Sequence, residues 1–281
     1  MEKNEPTVRI ENLRFSYRKH LVFENLSMSL EAGRIYGLLG ENGVGKTTLL
    51  RIISGLLRPK SGNCTVSGMK SSSRNPEMLK ELYFIPEIFI APPIPVRRFA
   101  QSNSLLYPGY DNAMFERLCR TFEVDASSRF DRLSQGQQKK ALISFALALN
   151  TKVLLMDEPS NGLDIPSKTT LRRVISECAT EDRVIVISTH QVRDLENLID
   201  PIVILDREGM ILNASVEDIS KKLLFTTAPT LSPEAYWSES GLNGYYQVLP
   251  NRDEADSRVN LEALFNAALK NKETFKTLFS K

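Results

Sequence analysis

Two segments of this chain carry residue types that can bind a phosphate and a divalent cation. In residues 40–47, glycines let backbone N–H groups converge on an anion, and Lys46 and Thr47 add an ammonium and a hydroxyl. Asp157 and Glu158 follow an apolar run, which predicts two carboxylates at the carboxyl end of a buried strand. Together the two segments predict a site for a nucleoside triphosphate and Mg²⁺.

The predicted chemistry gives each of these side chains a role. Lys46 would reach the β- and γ-phosphates as a point charge, while Thr47 and Asp157 would ligate Mg²⁺. Glu158 would act as the base or orient the attacking water. The alternative interpretations are a chance glycine-rich turn and, for the two carboxylates, a helix N-cap followed by an exposed acid.

A third segment, Ser134 to Gln137, has the Ser-x-x-Gln pattern of a capping box and predicts the start of a helix. On its own this is an ordinary helix start. Because helix N-termini also bind anions, Ser134 and the amide of Gly136 could contact a phosphate, which need not belong to their own chain's nucleotide.

The elements around these segments predict an α/β core with a helical insertion. Near its start the chain has a strand-like pattern, which predicts one continuous alternation through Val8, Ile10, Phe15 and Tyr17. Helical periodicity starts at Lys46 and dominates residues 99–150. The later strands are predicted at residues 35–39, 153–156, 184–187, 202–205 and 210–213, with a helix at about 167–179 and a hairpin turn at 206–209.

Composition narrows the class of protein. The chain has 281 residues, a net charge of +2 and 25% charged residues, so no clustered basic face for nucleic acid is expected. The apolar stretch at 141–149 is too short to span a bilayer, and the polar start at residues 1–5 indicates no secretory signal. Cys64, Cys119 and Cys178 lack metal-ligand spacing and are expected to be reduced thiols in a cytoplasmic protein.

In order and approximate spacing, five segments resemble the motifs of one family. They are residues 40–47, 133–137, 153–158, 160–164 and 188–190. Over roughly residues 7–215 the chain resembles the ATP-binding subunit of an ATP-binding-cassette (ABC) transporter. The resemblance implies an α/β fold: a P-loop NTPase of the ABC type with a parallel-sheet core, an antiparallel β subdomain and a helical subdomain, followed by a small C-terminal α+β appendage. The implied boundaries are 1–220 for the ATPase domain, about 87–150 for its helical subdomain and 221–281 for the accessory segment.

The resemblance also implies how such a protein works. Two subunits of this family sandwich two ATP molecules head to tail, each between the phosphate loop of one subunit and the signature segment, residues 133–137, of the other. The chain is thus expected to bind ATP and Mg²⁺ and to hydrolyse ATP as a homodimer, or as a heterodimer with a second ATPase subunit. It would power transport through a separate polytopic membrane subunit, with no nucleic acid involved. That role places it in the cytoplasm, peripheral on the inner face of the cell membrane.

Individual residues take family roles through the same resemblance. Glu158 and His190 match the catalytic pair, although a histidine at a strand end is more often structural. Tyr17 would stack on adenine or be a half-buried strand aromatic, and Asp164 would act across the dimer or cap a helix. The implied nucleotide-binding residues are Tyr17, Asn42, Gly43, Gly45, Lys46, Thr47, Thr48, Glu87, Ser134, Gly136, Gln137 and Asp164. The implied Mg²⁺ ligands are Thr47, Asp157 and Glu87.

Two positions depart from the family pattern. Gln135 replaces a common glycine in the signature, but Ser134 and Gly136 are kept, so phosphate contact is still expected. Glu87 stands where the family normally has a glutamine that senses Mg²⁺ and the γ-phosphate. Because a carboxylate binds Mg²⁺ more strongly than an amide but repels the γ-phosphate, we expect Glu87 to slow or condition hydrolysis.

Two further segments leave alternatives open. The apolar, proline-rich residues 88–95 would either pack on the helical subdomain or, as the resemblance implies, receive a short helix of the membrane subunit. Residues 221–259 are predicted to be turn-rich. They precede an apolar helical face formed by Leu261, Leu264, Phe265, Ala268 and Leu269 and a short helical pattern at 274–279. That region is interpreted as a packed appendage, with a dimer contact or a regulatory module as alternatives.

Two rival functions remain at this point. A non-transport ABC ATPase of DNA repair or translation is disfavoured, since the chain has no long coiled coil and no second cassette. A regulatory subunit that binds ATP without turnover is disfavoured by Glu158 and His190, while Glu87 leaves it open. By analogy with small bacterial transporters, export is favoured over import.

Overall fold

The structure, a computed structural model, describes residues 5–280. The polar start of the chain, from which the absence of a secretory signal is predicted, lies outside the described residues except for Glu5. The strands are β1 (Val8–Tyr17), β2 (His20–Leu30), β3 (Arg34–Leu39), β4 (Ser61–Val66), β5 (Met69–Lys70), β6 (Leu82–Ile85), β7 (Val153–Asp157), β8 (Val184–Thr189), β9 (Ile202–Asp206), β10 (Gly209–Ala214), β11 (Leu223–Ala228), β12 (Trp237–Gly241) and β13 (Gly244–Pro250). The helices are α1 (Lys46–Ile53), α2 (Pro76–Lys80), α3 (Val96–Ser104), α4 (Asn112–Thr121), α5 (Gln135–Ala148), α6 (Ile165–Glu177), α7 (Val216–Lys222), α8 (Leu261–Lys270) and α9 (Lys272–Leu278).

The described residues form two compact units. The first contains the chain up to Ile35 together with residues 47–188, and the second contains residues 36–46 together with the chain from Thr189 onward. The domain boundary near residue 220 and the limits of the helical subdomain stay predictions.

The first unit begins with an antiparallel sheet of order β2-β1-β4-β5. Buried residues do not alternate regularly along β1, because its pairing with β2 shifts between Ile10 and Leu13. Asn12, between them, has a φ of +48°, as in a β-bulge. The single alternation from Val8 to Tyr17 is therefore wrong: the bulge moves the buried positions from even to odd numbers.

The same unit contains the parallel strands β6, β7 and β8. Leu82 pairs with Val153, and Val153 pairs with Val184, so the three strands end at one edge of their group. Every residue of β7 and β8 is buried. Burial on both faces explains why the two strands are continuous apolar runs rather than alternating ones.

Helices α3, α4 and α5 pack around aromatic rings in the first unit. The Phe99 ring lies 5.2 Å from the rings of Phe130 and Phe145. Helix α5 is buried on every side from Ala141 to Ala148, so it is a core helix rather than an amphipathic surface helix.

One buried cation closes the far end of α5. The Arg183 guanidinium donates to the carbonyls of Ala146 and Leu147 in α5 and to that of Cys178 just beyond α6. Burial lowers the pKa of Arg183. The carbonyl oxygens at a helix C-terminus carry partial negative charge, which offsets the cost of burying this cation.

The second unit contains a second group of strands. Strand β3 runs parallel to β9, and β9 forms a hairpin with β10 in which Asp206 pairs with Gly209. Gly209 has a φ of +124°, which favours glycine at this turn. The predicted hairpin at 206–209 is thereby confirmed.

Beyond α7, the second unit continues with an antiparallel sheet of order β11-β13-β12 and the helices α8 and α9. The turn-rich segment at 221–259 contains three strands, and with the helices that follow they confirm the implied α+β appendage. The predicted helical face at 261–269 is confirmed as α8, which packs against β12 and β13 and also against β9 and β10. The Lys272 ammonium lies 2.5 Å from the Asp206 carboxylate, joining the start of α9 to the end of β9.

All three cysteines are buried thiols. Burial raises the pKa of Cys64 to about 11 and that of Cys119 to about 12. It raises the pKa of Cys178 as well. Thiols of this kind are poor nucleophiles at neutral pH. Among the described residues, no helix is both long and apolar enough to cross a membrane.

Candidate active site

The glycine-rich loop follows β3 and leads into α1. Gly43 and Gly45 have φ values of +85° and +109°, so both use the left-handed region that favours glycine. A side chain on Gly40 would come within 2.7 Å of the Leu205 carbonyl and of the Val44 side chain. Each of these three glycines is therefore required by the shape of the loop or by its packing.

Lys46 is held by the loop itself. Its Nζ donates to the carbonyl of Gly40 at 2.7 Å and to that of Glu41 at 3.1 Å. Asn42 and Gly43 lie exposed at the tip of the loop, and a Cβ on Gly43 would meet no atom within 4 Å. The loop thus presents open backbone at its tip and a buried ammonium at its base, an arrangement that suits an anion.

Thr47 and Asp157 meet directly. The Thr47 hydroxyl donates to Asp157 Oδ2 at 2.7 Å, and the Ser188 hydroxyl donates to Asp157 Oδ1 at 2.5 Å. The buried carboxylate of Asp157 is therefore paired through both oxygens. A hydroxyl and a carboxylate in contact are the hard oxygen ligands that Mg²⁺ prefers.

Glu158, the next residue, has an unusual backbone. It is buried, and its φ of +48° lies in the left-handed region, which costs a residue other than glycine about 1–3 kcal/mol. Its N–H donates to the Ser188 carbonyl at 3.1 Å, and its carbonyl accepts from the N–H of Asn161 at 3.2 Å. The chain turns sharply at the end of β7 and directs Glu158 out of the line of the strand.

Lys139, on α5, contacts the same turn and was missed by sequence reasoning. Its Nζ donates to the Glu158 carbonyl and to the Asn161 carbonyl, each at 2.9 Å. A lysine near the start of a helix normally indicates a solvated face. The sequence held no other signal, because both acceptors are backbone atoms.

Glu87 follows β6 by two residues. Its Oε1 accepts from Asn161 Nδ2 at 3.3 Å, so the position that departs from the family pattern contacts the turn after β7. A cavity of about 280 Å³ opens beside this contact. It is lined by Ile85, Pro86, Glu87, Ile88, Phe89, Gln135, Gln138, Lys139, Leu142, Asn161 and Gly162.

The predicted capping box at the start of α5 is confirmed. Ser134 Oγ accepts from the Gln137 N–H at 3.3 Å, and Gln137 Oε1 accepts from the Ser134 N–H at 3.3 Å. Ser134 and Gln135 are exposed. A Cβ on Gly136 would lie 3.4 Å from the Gly162 carbonyl, so the helix start lies close to the turn after β7.

Three other predicted residues have local partners. The Tyr17 hydroxyl lies 3.3 Å from Thr48 Oγ1, and its ring is 43% exposed, edge-on to Phe15. Asp164 accepts from the Ser167 N–H at 3.1 Å and caps α6, and the hydrogen bonds from Ser167 lower the pKa of its carboxyl. The N-cap alternative for Asp164 is thereby confirmed as a structural role.

His190 follows directly on β8 and is exposed. The next residue, Gln191, donates its N–H to Thr189 Oγ1 at 2.9 Å, which turns the chain at the strand end. In the first unit, then, the structure brings together Thr47 with Asp157, Tyr17 with Thr48, and Glu87 with the turn that follows Glu158. In the second unit it brings Lys46 to its own loop and leaves the His190 side chain at the surface.

A phosphate loop between a strand and a helix, followed by a hydroxyl that is bonded to a carboxylate, is typical of nucleoside triphosphatases of the P-loop class. A family model described as ABC transporter matches residues 23–161. A Bacillus subtilis protein described as an uncharacterized ABC transporter ATP-binding protein is 31% identical over 219 residues, covering 76% of this chain and 70% of its own length.

Other relatives and a solved structure agree with that match. A Streptococcus pyogenes protein described as a lantibiotic transport ATP-binding protein is 29% identical, covering 77% of this chain and 93% of its own length. A solved structure described as the ATP-binding subunit of an ABC transporter has a TM-score of 0.69 and 25% identity, covering 76% of this chain and 91% of that one. The chain therefore belongs to the ATP-binding subunits of ABC transporters.

Membership of this family settles the general activity. The chain binds nucleotide as an ATPase coupled to transport and works with a membrane transporter component. The predicted α/β fold of an ABC ATPase is confirmed by the structural match and by the strands and helices described above.

Proposed function

We propose that this chain holds MgATP between two ATPase subunits and hydrolyses it to drive a separate polytopic membrane protein. The observation that carries the MgATP assignment is the 2.7 Å contact between Thr47 and Asp157 directly after the glycine-rich loop. The Thr47 hydroxyl comes directly after Lys46, the lysine that would hold the phosphates, and it is bonded to the carboxylate of Asp157.

The phosphates would be held by the loop. The backbone N–H groups at Asn42, Gly43 and Gly45 and the N-terminus of α1 would bind the phosphate oxygens. Lys46 would exchange its two carbonyl acceptors for the β- and γ-phosphates, and the exposed Tyr17 ring beside Thr48 would stack on adenine.

Mg²⁺ would be held by Thr47 and Asp157, with Glu87 as a further ligand. When bound, the ion neutralises charge on the phosphate oxygens as the terminal phosphoryl group is transferred. The donor set fits this ion, because all three side chains offer oxygen and neither a thiol nor an imidazole is among them.

Hydrolysis would rest on Glu158 and His190. The Glu158 carboxylate would orient the attacking water or accept its proton, and the His190 imidazole would donate to the γ-phosphate.

The proposal of a dimer rests on the signature segment, residues 133–137. Ser134 and Gly136 lie at an exposed helix N-terminus, which favours an anion, and the only hydrogen-bond partner described for the Ser134 side chain is the local Gln137. We propose that these residues, with Gln137 and Asp164, face the nucleotide held by Lys46 of a second copy or of a related ATPase subunit. We further propose that the assembly sits on the inner face of the cell membrane and serves export.

Mixing two inactive variants tests the shared site. Lys46→Ala removes the phosphate-loop lysine, and Ser134→Arg blocks the signature. In a symmetric dimer each variant alone has two defective sites. A dimer of one Lys46→Ala chain and one Ser134→Arg chain has one intact site and one site with both defects. Mixing the two variants is therefore expected to restore ATP hydrolysis. The control mixes wild-type chain with a chain carrying both changes, where no further site is created.

The outcomes separate the alternatives. Recovery on mixing supports a homodimer with composite sites. If each variant alone keeps near-wild-type activity, the roles of Lys46 and Ser134 are wrong. If the wild type hydrolyses ATP but mixing restores nothing, sites within one chain or a heterodimer replace the homodimer. A Glu158→Gln variant that hydrolyses as fast as wild type contradicts the role of Glu158.

A further inference from the structure

Lys139 lies on the face of α5 that borders the cavity, together with Gln135, Gln138 and Leu142. This face points at the turn after β7. The ammonium donates two hydrogen bonds of 2.9 Å, one to the Glu158 carbonyl and one to the Asn161 carbonyl. It therefore spans the first and last residues of the turn that begins with Glu158.

The turn has few other restraints at these two carbonyls. The Asn161 N–H donates to the Glu158 carbonyl at 3.2 Å, which closes the turn on itself, and Gly162 follows with a φ of +79°, where a Cβ would meet no atom within 4 Å. Glu158 itself holds a left-handed backbone conformation. A strained conformation persists only where its surroundings fix it: the Ser188 carbonyl holds the Glu158 N–H, and the Lys139 ammonium holds the Glu158 carbonyl.

The charges around Lys139 favour this arrangement. Its burial lowers the pKa of the ammonium, while the carboxylates of Glu87, Glu158 and Asp157 raise it. Glu87 is also joined to the turn, because its carboxylate accepts from the Asn161 side chain. The Lys139 ammonium thus interacts electrostatically with three carboxylates, but it donates its two hydrogen bonds to backbone carbonyls.

We propose that Lys139 is a positioning residue for ATP hydrolysis: its ammonium fixes the backbone turn of residues 158–161 and thereby the direction of the Glu158 carboxylate. The proposal rests on the hydrolytic role proposed for Glu158. It assigns Lys139 no contact with ATP, so nucleotide binding and turnover respond differently to its loss.

The test compares three full-length variants. Lys139→Met keeps the length of the side chain and removes every donor, Lys139→Arg keeps donors and charge, and Lys152→Met is the matched control at the far end of β7. For Lys139→Met we expect the kcat for ATP to fall by about tenfold to a hundredfold, as for a displaced catalytic group, with KM and nucleotide affinity within about twofold. Lys139→Arg is expected to restore most of kcat, and Lys152→Met to leave it unchanged.

Hydrogen exchange gives a readout that does not depend on catalysis. In the nucleotide-free protein, the amides of Glu158 and of residues 160–163 are expected to exchange faster in Lys139→Met than in wild type, while amides of β8 stay protected. If Lys139→Met does not fold, Lys139→Gln, which keeps an uncharged donor, replaces it in both measurements.

Each result decides a separate point. Faster exchange with unchanged kcat overturns the positioning role, and unchanged exchange overturns the restraint itself. A rise in KM with a parallel loss of nucleotide affinity overturns the positioning role as well, since Lys139 would then act on nucleotide binding. A separate variant reveals failure of the proposed function. If Glu158 has no role in hydrolysis, Glu158→Gln hydrolyses ATP at the wild-type rate, whatever the results for the Lys139 variants.

Discussion

The Thr47 hydroxyl donates a 2.7 Å hydrogen bond to Asp157 Oδ2, which joins the first turn of α1 to the last residue of β7. Two segments more than a hundred residues apart in the chain are thereby held as one pair of oxygen ligands. The contact places a hydroxyl oxygen and a carboxylate oxygen within reach of one cation. Preorganisation of this kind lowers the cost of binding.

The first prediction concerns this pair. Thr47→Val removes the hydroxyl but keeps the shape of the side chain. We expect the Mg²⁺ concentration for half-maximal ATP hydrolysis to rise about tenfold or more, as when a metal site loses an oriented ligand. The measurement is a Mg²⁺ titration of ATPase activity, with Thr121→Val on α4 as the control. An unchanged Mg²⁺ requirement would contradict the assignment of Thr47.

The second prediction concerns the departure at Glu87. Glu87→Gln removes the charge but keeps an oxygen that can accept from Asn161, so the local contact survives. We expect hydrolysis to become a few-fold faster and its Mg²⁺ dependence to change, because the repulsion of the γ-phosphate is gone. ATPase assays at several Mg²⁺ concentrations check this, with the exposed Glu77→Gln as control. Equal rates and equal Mg²⁺ dependence would refute it.

The third prediction concerns assembly with the membrane partner. In the apolar segment after β6, Ile88 and Ile90 are 82% and 90% exposed, whereas the Phe89 ring packs 5.2 Å from Phe130. Packing on the helical region is therefore confirmed for Phe89, while contact with the membrane subunit stays a prediction, now for Ile88 and Ile90. We expect Ile88→Asp with Ile90→Asp to reduce co-purification with the partner and to leave ATP binding and the melting temperature unchanged.

Phe89→Asp is a poor choice for this test. It would place a carboxylate against the rings of Phe99 and Phe130 at a half-buried position, so we expect a loss of stability of about 1–3 kcal/mol. Thermal unfolding distinguishes the two cases. Intact co-purification of the double isoleucine variant would remove this surface from the interface.

The fourth prediction concerns the C-terminal segment. Phe275 on α9 is fully buried, with its ring 5.6 Å from Tyr236 and 5.9 Å from Phe279. Phe275→Ala is expected to cost about 3–5 kcal/mol, because it leaves a cavity in a small cluster. Chemical denaturation measures the loss, with the exposed Leu242→Ala at the β12–β13 turn as control. A change below about 1 kcal/mol would show that α9 packs only weakly.

The parts of the fold that the sequence predicted are those with a strong local signal. Continuous apolar runs identified β7 and β8 because both faces of these strands are buried, and the Ser-x-x-Gln spacing identified the start of α5. The strands of the α+β appendage were not located individually, because polar and aromatic residues such as Thr226 and Tyr245 lie among their apolar residues and burial alternates only in the first half of β11. Strand formation in that segment depends on its pairing partners rather than on its own pattern.

The residues of the candidate site also differ in whether the sequence could predict them. Lys46, Thr47 and Asp157 were recognisable because their neighbours in sequence form a motif. Lys139 was not, because its acceptors are carbonyl oxygens that any residue carries, and its distance of about twenty residues from them has no periodic meaning. The bulge at Asn12, by contrast, leaves a sign in the sequence, because the apolar positions change from even numbers at Val8 and Ile10 to odd numbers at Leu13 and Phe15.

Helix α5 is attached unequally at its two ends. Arg183 binds the carbonyls of its last turn in the core, while the end that carries Ser134 is exposed. A helix of 14 residues is about 21 Å long, so a tilt of about 10° about the anchored end would swing the exposed end by about 4 Å. Because the Lys139 ammonium joins the second turn of the helix to the turn after β7, a tilt about the Arg183 end would also displace the backbone at Glu158.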